Sequence, residues 1–379
     1  MTRFLGLLCV SVPTSLTVAI GPVRIISPER LSKGFRLPQP FLITLKIKVM
    51  KKVHFILGAD ISKKTIDFHC YQTNGYQQFT NNPKGFKQLI AWLRKQKISC
   101  MGLLIVMEHT GLYSYCFEEF LHRHQIGFTK VNALAIKLSA GIVRGKSDKL
   151  DARRIAEYGF EKQSKLLPQA PVPEATKQLQ LLYSTRERLV RQRAALLNAV
   201  KEYTHMGLSK SHLIMKSQTK LIEIFSKEIK RLQDKMDEII QNDPSLNQNY
   251  QLLQSVNGVG KVVALAMLIK TQNFTRFVSA RKFACYCGTA PFEYSSGSSI
   301  RGKTRVNPMA DKGMKTLLDL AAKVAIQYDK ELKDYYEKRV AIGKPKMSTI
   351  NIVRNKLLYR MFAVINRQTP FVENYLQAA

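Results

Sequence analysis

Residues 53–60 read VHFILGAD, an apolar run that closes on an aspartate. A short continuous apolar run bounded by a polar residue has the form of a strand buried inside a sheet. Residues 102–107, GLLIVM, repeat that form and close on Glu108. Between the two runs lie a turn at 62–64, a second strand over 65–71 and a third over 76–80. NNPKGFKQLIAWLRKQK follows as a helix, with Pro83 near its start and Phe86, Leu89, Ile90 and Leu93 as its apolar stripe. After Glu108 the pattern predicts a helix over 113–124 and a short strand over 128–131. A strand meander followed by alternating helices and strands is an α/β layer.

Two further acids stand downstream in KSDKLDARRIA, where Ser147 is the expected N-cap of a helix carrying Asp148 and Asp151. Three residues apart on a helix, these side chains share a face. If 53–60 and 102–107 are neighbouring strands, Asp60 and Glu108 emerge together and the Asp148/Asp151 helix packs across them. Four carboxylates gathered this way repel one another unless a cation neutralises them, and four hard oxygen donors suit a pair of Mg²⁺ ions. The preceding GIVRGKS, residues 141–147, is not a phosphate loop: it has three residues between its glycines where that motif needs four.

The chain has 379 residues, 45% hydrophobic content and a formal net charge of +33, enough for two or three domains with a polyanion as the leading partner. No apolar run reaches the length of a membrane span. The six cysteines lie mostly in apolar contexts, which points to a reduced, cytoplasmic protein. Cys285 and Cys287 have no second ligand pair at zinc spacing and are expected to pack in a core. Residues 1–49 read differently from the rest. Their start imitates a signal peptide, but MKKVHFILGADIS from Met50 has the form of a natural start leading into a strand. The segment 1–49 is expected to be a non-native extension.

The Pro-rich stretch within 161–175 is expected to link residues 50–160 to a helical middle over 161–250. There, one helix over 177–205 carries Leu182, Leu189, Leu196 and Tyr203 at seven-residue spacing. A second over 220–241 carries Ile222, Phe225, Ile229, Leu232, Met236 and Ile239 as a heptad seam. An antiparallel hairpin and a dimerising coiled coil fit this pattern equally. The last segment, 251–379, opens with Asn257-Gly258-Val259-Gly260-Lys261 between helices, a helix–hairpin–helix type signal in which Gly258, Gly260 and Lys261 would meet a DNA phosphate.

In that segment, Ser295, Ser296, Gly297, Ser298 and Ser299 are followed by Arg301, Lys303 and Arg305. A serine on a flexible loop beside cations fits nucleophilic attack on a phosphodiester, but from the residues alone a loop that only holds phosphate is the favoured reading. The three cations are expected to bind nucleic acid.

GADISKKTIDF, VMEHTG, KSDKLDARRIA, the Gly-Val-Gly segment and CGTAPFEYSSGSSIRGKTRVNPMADKGMKTLLDLAA, in this order, resemble transposases of the insertion-sequence 110 family, relatives of the Piv-type DNA invertases. The resemblance runs from Met50 to Ala379. It implies a RuvC-like, ribonuclease-H-fold N-terminal domain with the tetrad Asp60, Glu108, Asp148 and Asp151. It also implies a C-terminal transposase domain whose nucleophile falls at Ser296, with Ser295 as the neighbouring alternative. The implied enzyme is a Mg²⁺-dependent recombinase, nucleoid-associated in a bacterial cytoplasm, acting on double-stranded DNA. A noncoding bridge RNA guides it, and it works as a tetramer with composite sites. Two rivals remain from the residues: a junction nuclease of the same fold that hydrolyses with water, and a non-catalytic nucleic-acid-binding scaffold.

Overall fold

The computed structural model describes residues 53–373 except 110, 142–144, 146, 278, 298–299 and 307–308, and only the backbone of Ser296, Ile300, Arg301 and Lys303. The extension over 1–49, the serines at 298 and 299, and the side chains of Ser296, Arg301 and Lys303 therefore lie outside the described residues.

Strands β1 (Phe55–Ile61), β2 (Thr65–Cys70) and β3 (Tyr76–Thr80) form the expected meander. Helix α1 (Pro83–Lys95) follows, its N-cap Asn82 accepting from the Gly85 amide and a proline in its first turn. Then come β4 (Leu103–Glu108), a 3₁₀ turn (Gly111–Ser114) running into α2 (Tyr115–Arg123), and β5 (Gly127–Val131). The five strands form one sheet in the order β3-β2-β1-β4-β5. The meander strands pair antiparallel, while β1, β4 and β5 run parallel. Helix α3 (Ala133–Ser139), capped by Asn132, was not expected; at 7 residues it is too short to show a helical period. Helix α4 (Asp148–Glu161) carries the two downstream acids.

Both faces of the sheet are covered, which is why β1 and β4 are apolar throughout rather than alternating. Leu57, Ala59 and Ile61 face α1 and α2, meeting Phe86, Leu89, Leu93, Phe117 and Leu121. Ile56, Leu104 and Val106 face the other way and cluster with Ile155 of α4.

The remainder is mostly helical. Helices α5 (Glu174–His205) and α6 (Leu213–Asn242) pack on each other as a hairpin, with Ile229, Met236 and Ile240 buried. Helix α6 begins two turns before the expected 220, capped by the His212 side chain. The hairpin's root, with Leu179, Tyr183, Met236 and Ile240, shares one core with the C-terminal helices α7 (Pro244–Gln254), α8 (Lys261–Thr271), α9 (Ala280–Tyr286), α10 (Lys312–Tyr328), α11 (Lys330–Ala341) and α12 (Lys346–Arg367). Cys287 is buried in that core and Cys285 packs against it, as the C-x-C spacing predicts. Among the described residues no helix is long and apolar enough to cross a membrane.

A second element departs from expectation. The Ser/Gly stretch expected as a loop is a two-stranded ribbon, β6 (Pro291–Ser296) and β7 (Ile300–Val306). The alternation Phe292, Glu293, Tyr294 is a strand signal that the serines after it mask.

Candidate active site

Ala59 of β1 pairs with Met107 of β4 in parallel register, so the next residues, Asp60 and Glu108, leave the sheet side by side. Strand alternation puts them on the face of Ile56 and Val106, the face that α4 covers. Helix α4 comes very close because Gly58 has no side chain. A Cβ there would meet the Ala152 carbonyl oxygen at 2.2 Å and the Ala156 amide at 2.4 Å. Gly159 completes the contact from the helix side, where a Cβ would lie 2.8 Å from Ile56 Cγ2 and 2.7 Å from Val106 Cγ2. Ser147 caps the helix as predicted, its hydroxyl accepting from the Leu150 amide at 3.3 Å. The first turn of α4 thus carries Asp148 and Asp151, where acids also favour the helix dipole.

The electrostatics record the convergence. The Asp60 carboxyl is pushed up to about 6, first by burial and then by the charges of Glu108, Asp148, Asp151 and Asp67. The other three predicted acids are thus near enough for their charges to act on Asp60. Asp151 also pairs with Arg154 at 2.7 Å. Among the described residues, no three acids, histidines or cysteines stand at metal-ligand spacing. The donor set nevertheless suits a hard cation: these are oxygen ligands only, and a carboxyl lifted by like charges gains from any positive ion placed among them.

A fifth acid was missed. Asp67 is 1% exposed and lies directly across from Asp60 in the β1–β2 pair. Tyr76 donates its hydroxyl to Asp67 Oδ1 at 2.5 Å, and Gln78 Nε2 donates to both carboxylate oxygens at 3.1 and 3.0 Å. The hydrogen bond to Asp67 comes first among the causes that push the Tyr76 hydroxyl up to about 12. The alternation in TIDFHC, with Ile66, Phe68 and Cys70 toward α1 and α2, holds the signal that Asp67 shares the face of Asp60.

The serine stretch is built differently. Ser295 pairs with Arg301 and Ser296 with Ile300 at the end of the β6–β7 ribbon, and Gly297 turns the chain at φ 57°. The ribbon's roots are bolted down by buried polar groups. Thr289, fully buried, donates its hydroxyl to Asn355 Oδ1 at 3.0 Å. Its carbonyl accepts from Asn351 Nδ2 at 2.8 Å and Asn355 Nδ2 at 2.9 Å, both on α12. On the other side Asp311 accepts from Lys270 Nζ at 2.7 Å and Tyr286 Oη at 2.9 Å while capping α10 at the Met314 amide. Burial pushes the Asp311 carboxyl up, but these donors outweigh it and hold it below the usual range.

Gly258 and Gly260 have different reasons to be glycine. Gly258 has φ 89°, and a Cβ there would meet the Ala321 carbonyl oxygen at 2.6 Å, so its bareness serves packing on α10. Gly260 opens to solvent at the start of α8, beside exposed Lys261. A cavity of about 280 Å³ between α2, β5 and the root of α5 contains none of the four acids; Glu118 and Lys130, paired at 2.8 Å, line it.

Two family profiles match this chain. A DEDD transposase profile of IS110 elements covers residues 57–204, and the profile described as "Transposase IS116/IS110/IS902 family" covers 250–337. The chain belongs to the IS110 family of transposases. Its N-terminal sheet is accordingly the ribonuclease-H-like layer of that family. The pilin gene-inverting protein of Moraxella bovis is 29% identical over 323 residues, covering 83% of this chain and 97% of the relative. Its counterpart in Moraxella lacunata is also 29% identical, over 324 residues with the same coverage. The transposase for insertion sequence element IS1111A of Coxiella burnetii is 23% identical over 295 residues, covering 69% of this chain and 78% of the relative. The chain is thus a DNA transposase or recombinase in its broad activity.

Proposed function

We propose that this IS110-family transposase cleaves and rejoins DNA through a covalent phosphoserine at Ser296, next to an acidic cluster that holds Mg²⁺. The observation that carries the reading is the close seating of α4 on Gly58: burial first, and then the charges of Glu108, Asp148 and Asp151, push the Asp60 carboxyl up to about 6. A carboxylate kept at that cost in a basic chain has a cation as its natural partner. Asp60, Glu108, Asp148 and Asp151 would hold Mg²⁺, which when bound offsets charge on the scissile phosphate. Asp67, locked by Tyr76 and Gln78, keeps the β2 side of the site in place.

The chemistry assigned to the serine balances without another reactant. The Ser296 hydroxyl gives up its proton, an Oγ–P bond forms, one P–O bond to deoxyribose breaks, and the leaving oxygen takes a proton. The phosphoserine conserves the bond energy, so a hydroxyl from another strand can reverse the step. Arg301, Lys303 and Arg305 would hold phosphate, as would Gly260 and Lys261 at the start of α8. The net charge of +33 supports a larger polyanionic assembly, which we take to be double-stranded DNA with a noncoding bridge RNA. A tetramer would let the acids of one subunit meet the ribbon of another, and the α5–α6 hairpin is the element suited to joining subunits. A bacterial cytoplasm, at the nucleoid, is the setting this substrate implies.

Trapping protein on DNA under denaturing conditions tests the reading. The wild-type chain gives a covalent adduct that needs Mg²⁺, and Ser296→Ala gives none. An adduct that persists in Ser296→Ala but vanishes in Ser295→Ala moves the nucleophile by one residue. Cleaved DNA with no adduct at all assigns the chain to water-driven hydrolysis. Sequencing the RNA that copurifies tests the guide.

A further inference from the structure

The β6–β7 ribbon carries two aromatic side chains that the fold does not use. Phe292 is 46% exposed and Tyr294 is 70% exposed. The nearby rings of Phe274, Phe277, Phe283, Tyr286 and Phe362 all pack on one another, and among the described residues neither ribbon ring joins them. Two rings exposed together on a narrow arm offer their faces to a ligand.

The backbone aims these rings. Phe292 pairs with Arg305 and Tyr294 with Gly302, so β7 spends two residues where β6 spends one. Such a bulge bends the strand and redirects side chains, and bulges recur beside active sites. Gly302 is bare where Tyr294 crosses it: a Cβ there would meet Tyr294 Cδ1 at 2.7 Å and its carbonyl oxygen at 3.0 Å. The tyrosine ring therefore lies against a strand that makes room for it. Arg305, exposed, stands opposite Phe292 on the same face of the ribbon. Rings interleaved with cations on an open surface are the pattern that binds unstacked nucleobases along a phosphate backbone. Tyr294 is two residues from Ser296 on one strand, a Cα separation of about 7 Å.

We propose that Tyr294, with Phe292 behind it, is a base-stacking wedge that engages the nucleobase next to the phosphodiester the ribbon attacks. This deepens the reading of Ser296 as nucleophile and rests on it for the position of the scissile bond. A ring inserted at a base step partly unstacks it. Unstacking would free the strand to bend its phosphate toward the serine. The ligand is thus a nucleobase in DNA, recognised by its π-face and without sequence preference.

The test uses the full chain and duplexes carrying the ends of its own element, with 5-iododeoxyuridine at successive thymidine positions. Irradiation should crosslink the DNA to the peptide containing Phe292 and Tyr294. Tyr294→Ala should slow adduct formation on fully paired DNA by about tenfold, the scale of one lost base–aromatic stack. A duplex already unpaired at the end should recover most of that loss, and Tyr294→Phe should behave as wild type because the ring and not the hydroxyl acts. Because Tyr294 is exposed, the variant keeps its fold, which circular dichroism verifies. Absence of crosslinks in the ribbon overturns the wedge, as does an equal loss on paired and unpaired DNA, or no loss. Ser296→Ala separates the two readings: it should abolish the adduct and keep the crosslink. If Ser296→Ala still forms adduct, the nucleophile assignment fails while the crosslink continues to decide the wedge.

Discussion

Asp60 and Glu108 end central strands of a five-stranded sheet covered on both faces, while Ser295 and Ser296 end a two-stranded ribbon held at its roots. The acids owe their positions to packing: register sets Asp60 beside Glu108, and a missing Cβ at Gly58 sets the helix above them. The serines owe theirs to hydrogen bonds at Thr289 and Asp311, with the arm itself in solvent. An isolated two-stranded ribbon is marginal in water, so those bolts matter more than any contact along it. The acidic face is thus held by packing on both sides of a sheet, and the ribbon by a few buried polar groups at its base.

The sharpest way to break the contrast is at Gly58. Gly58→Ala puts a Cβ into the backbone of α4 and should displace the helix, costing about 2–3 kcal/mol of stability. DNA cleavage should vanish with it. Thermal unfolding and a cleavage assay read both effects; an active Gly58→Ala protein would show that the close approach does not build the site.

Asp60→Asn should separate stability from activity. The folded Asp60 carboxyl is raised to about 6 from 3.8, so the folded state holds its proton more tightly than the unfolded chain. The stability this gives is complete below the unfolded value and is lost as pH rises through about 6. At pH above 7 the metal-free Asn variant should therefore be the more stable by about 1–2 kcal/mol, after discounting for solvent screening. Its advantage should shrink as pH falls below 6, and its Mg²⁺-dependent cleavage should be absent at every pH. For the wild-type protein, Mg²⁺ must displace that proton, so its apparent affinity should weaken below about pH 6. A denaturation series across pH, with and without Mg²⁺, measures all three.

The acidic platform was legible because each acid sits at a boundary that local rules mark. Asp60 and Glu108 close apolar runs, and Asp148 and Asp151 follow a capping serine at helical spacing. Asp67 was not legible by the same route: it lies inside a strand, and only its partner across the sheet shows that it faces Asp60. Gly58 carried an unread signal, since a glycine within a buried strand often marks close backbone approach. Serine and glycine favour turns, so the stretch predicts a loop where the ribbon stands. Its strand character comes from pairing between segments, which no single segment displays. The root residues were invisible for the same reason: Asn355 is far from Thr289 in sequence, and neither stands in a motif.

Asn355→Ala tests the bolts. It removes the shorter of two hydrogen bonds of the Thr289 hydroxyl, the other going to the Ala284 carbonyl at 3.3 Å, and one of two donors to the Thr289 carbonyl, leaving buried polar atoms short of hydrogen bonds. That should cost about 1–3 kcal/mol. If the bolts position the arm, adduct formation should fall several-fold while DNA affinity changes little, and Asn355→Asp should recover only the acceptor half. A variant that loses stability alone, with the adduct rate intact in the folded fraction, would reduce the network to a structural role.

The smallest effect distinguishes a working cation from a spent one. Arg305 is exposed on β7 and makes no ion pair among the described residues. Arg360 is committed to Asp329 and Glu331, each at 2.6 Å. Arg305→Ala should flatten the dependence of log affinity on log salt by about one unit, the share of a single phosphate contact. Arg360→Ala should leave that slope alone and lower the melting temperature instead, because Asp329 is buried and would lose its cation. Titrating both variants with duplex DNA between low and high salt gives the two slopes. Equal slopes for Arg305→Ala and wild type would mean that the ribbon does not track the phosphate backbone, and the arm would then need another route to its substrate.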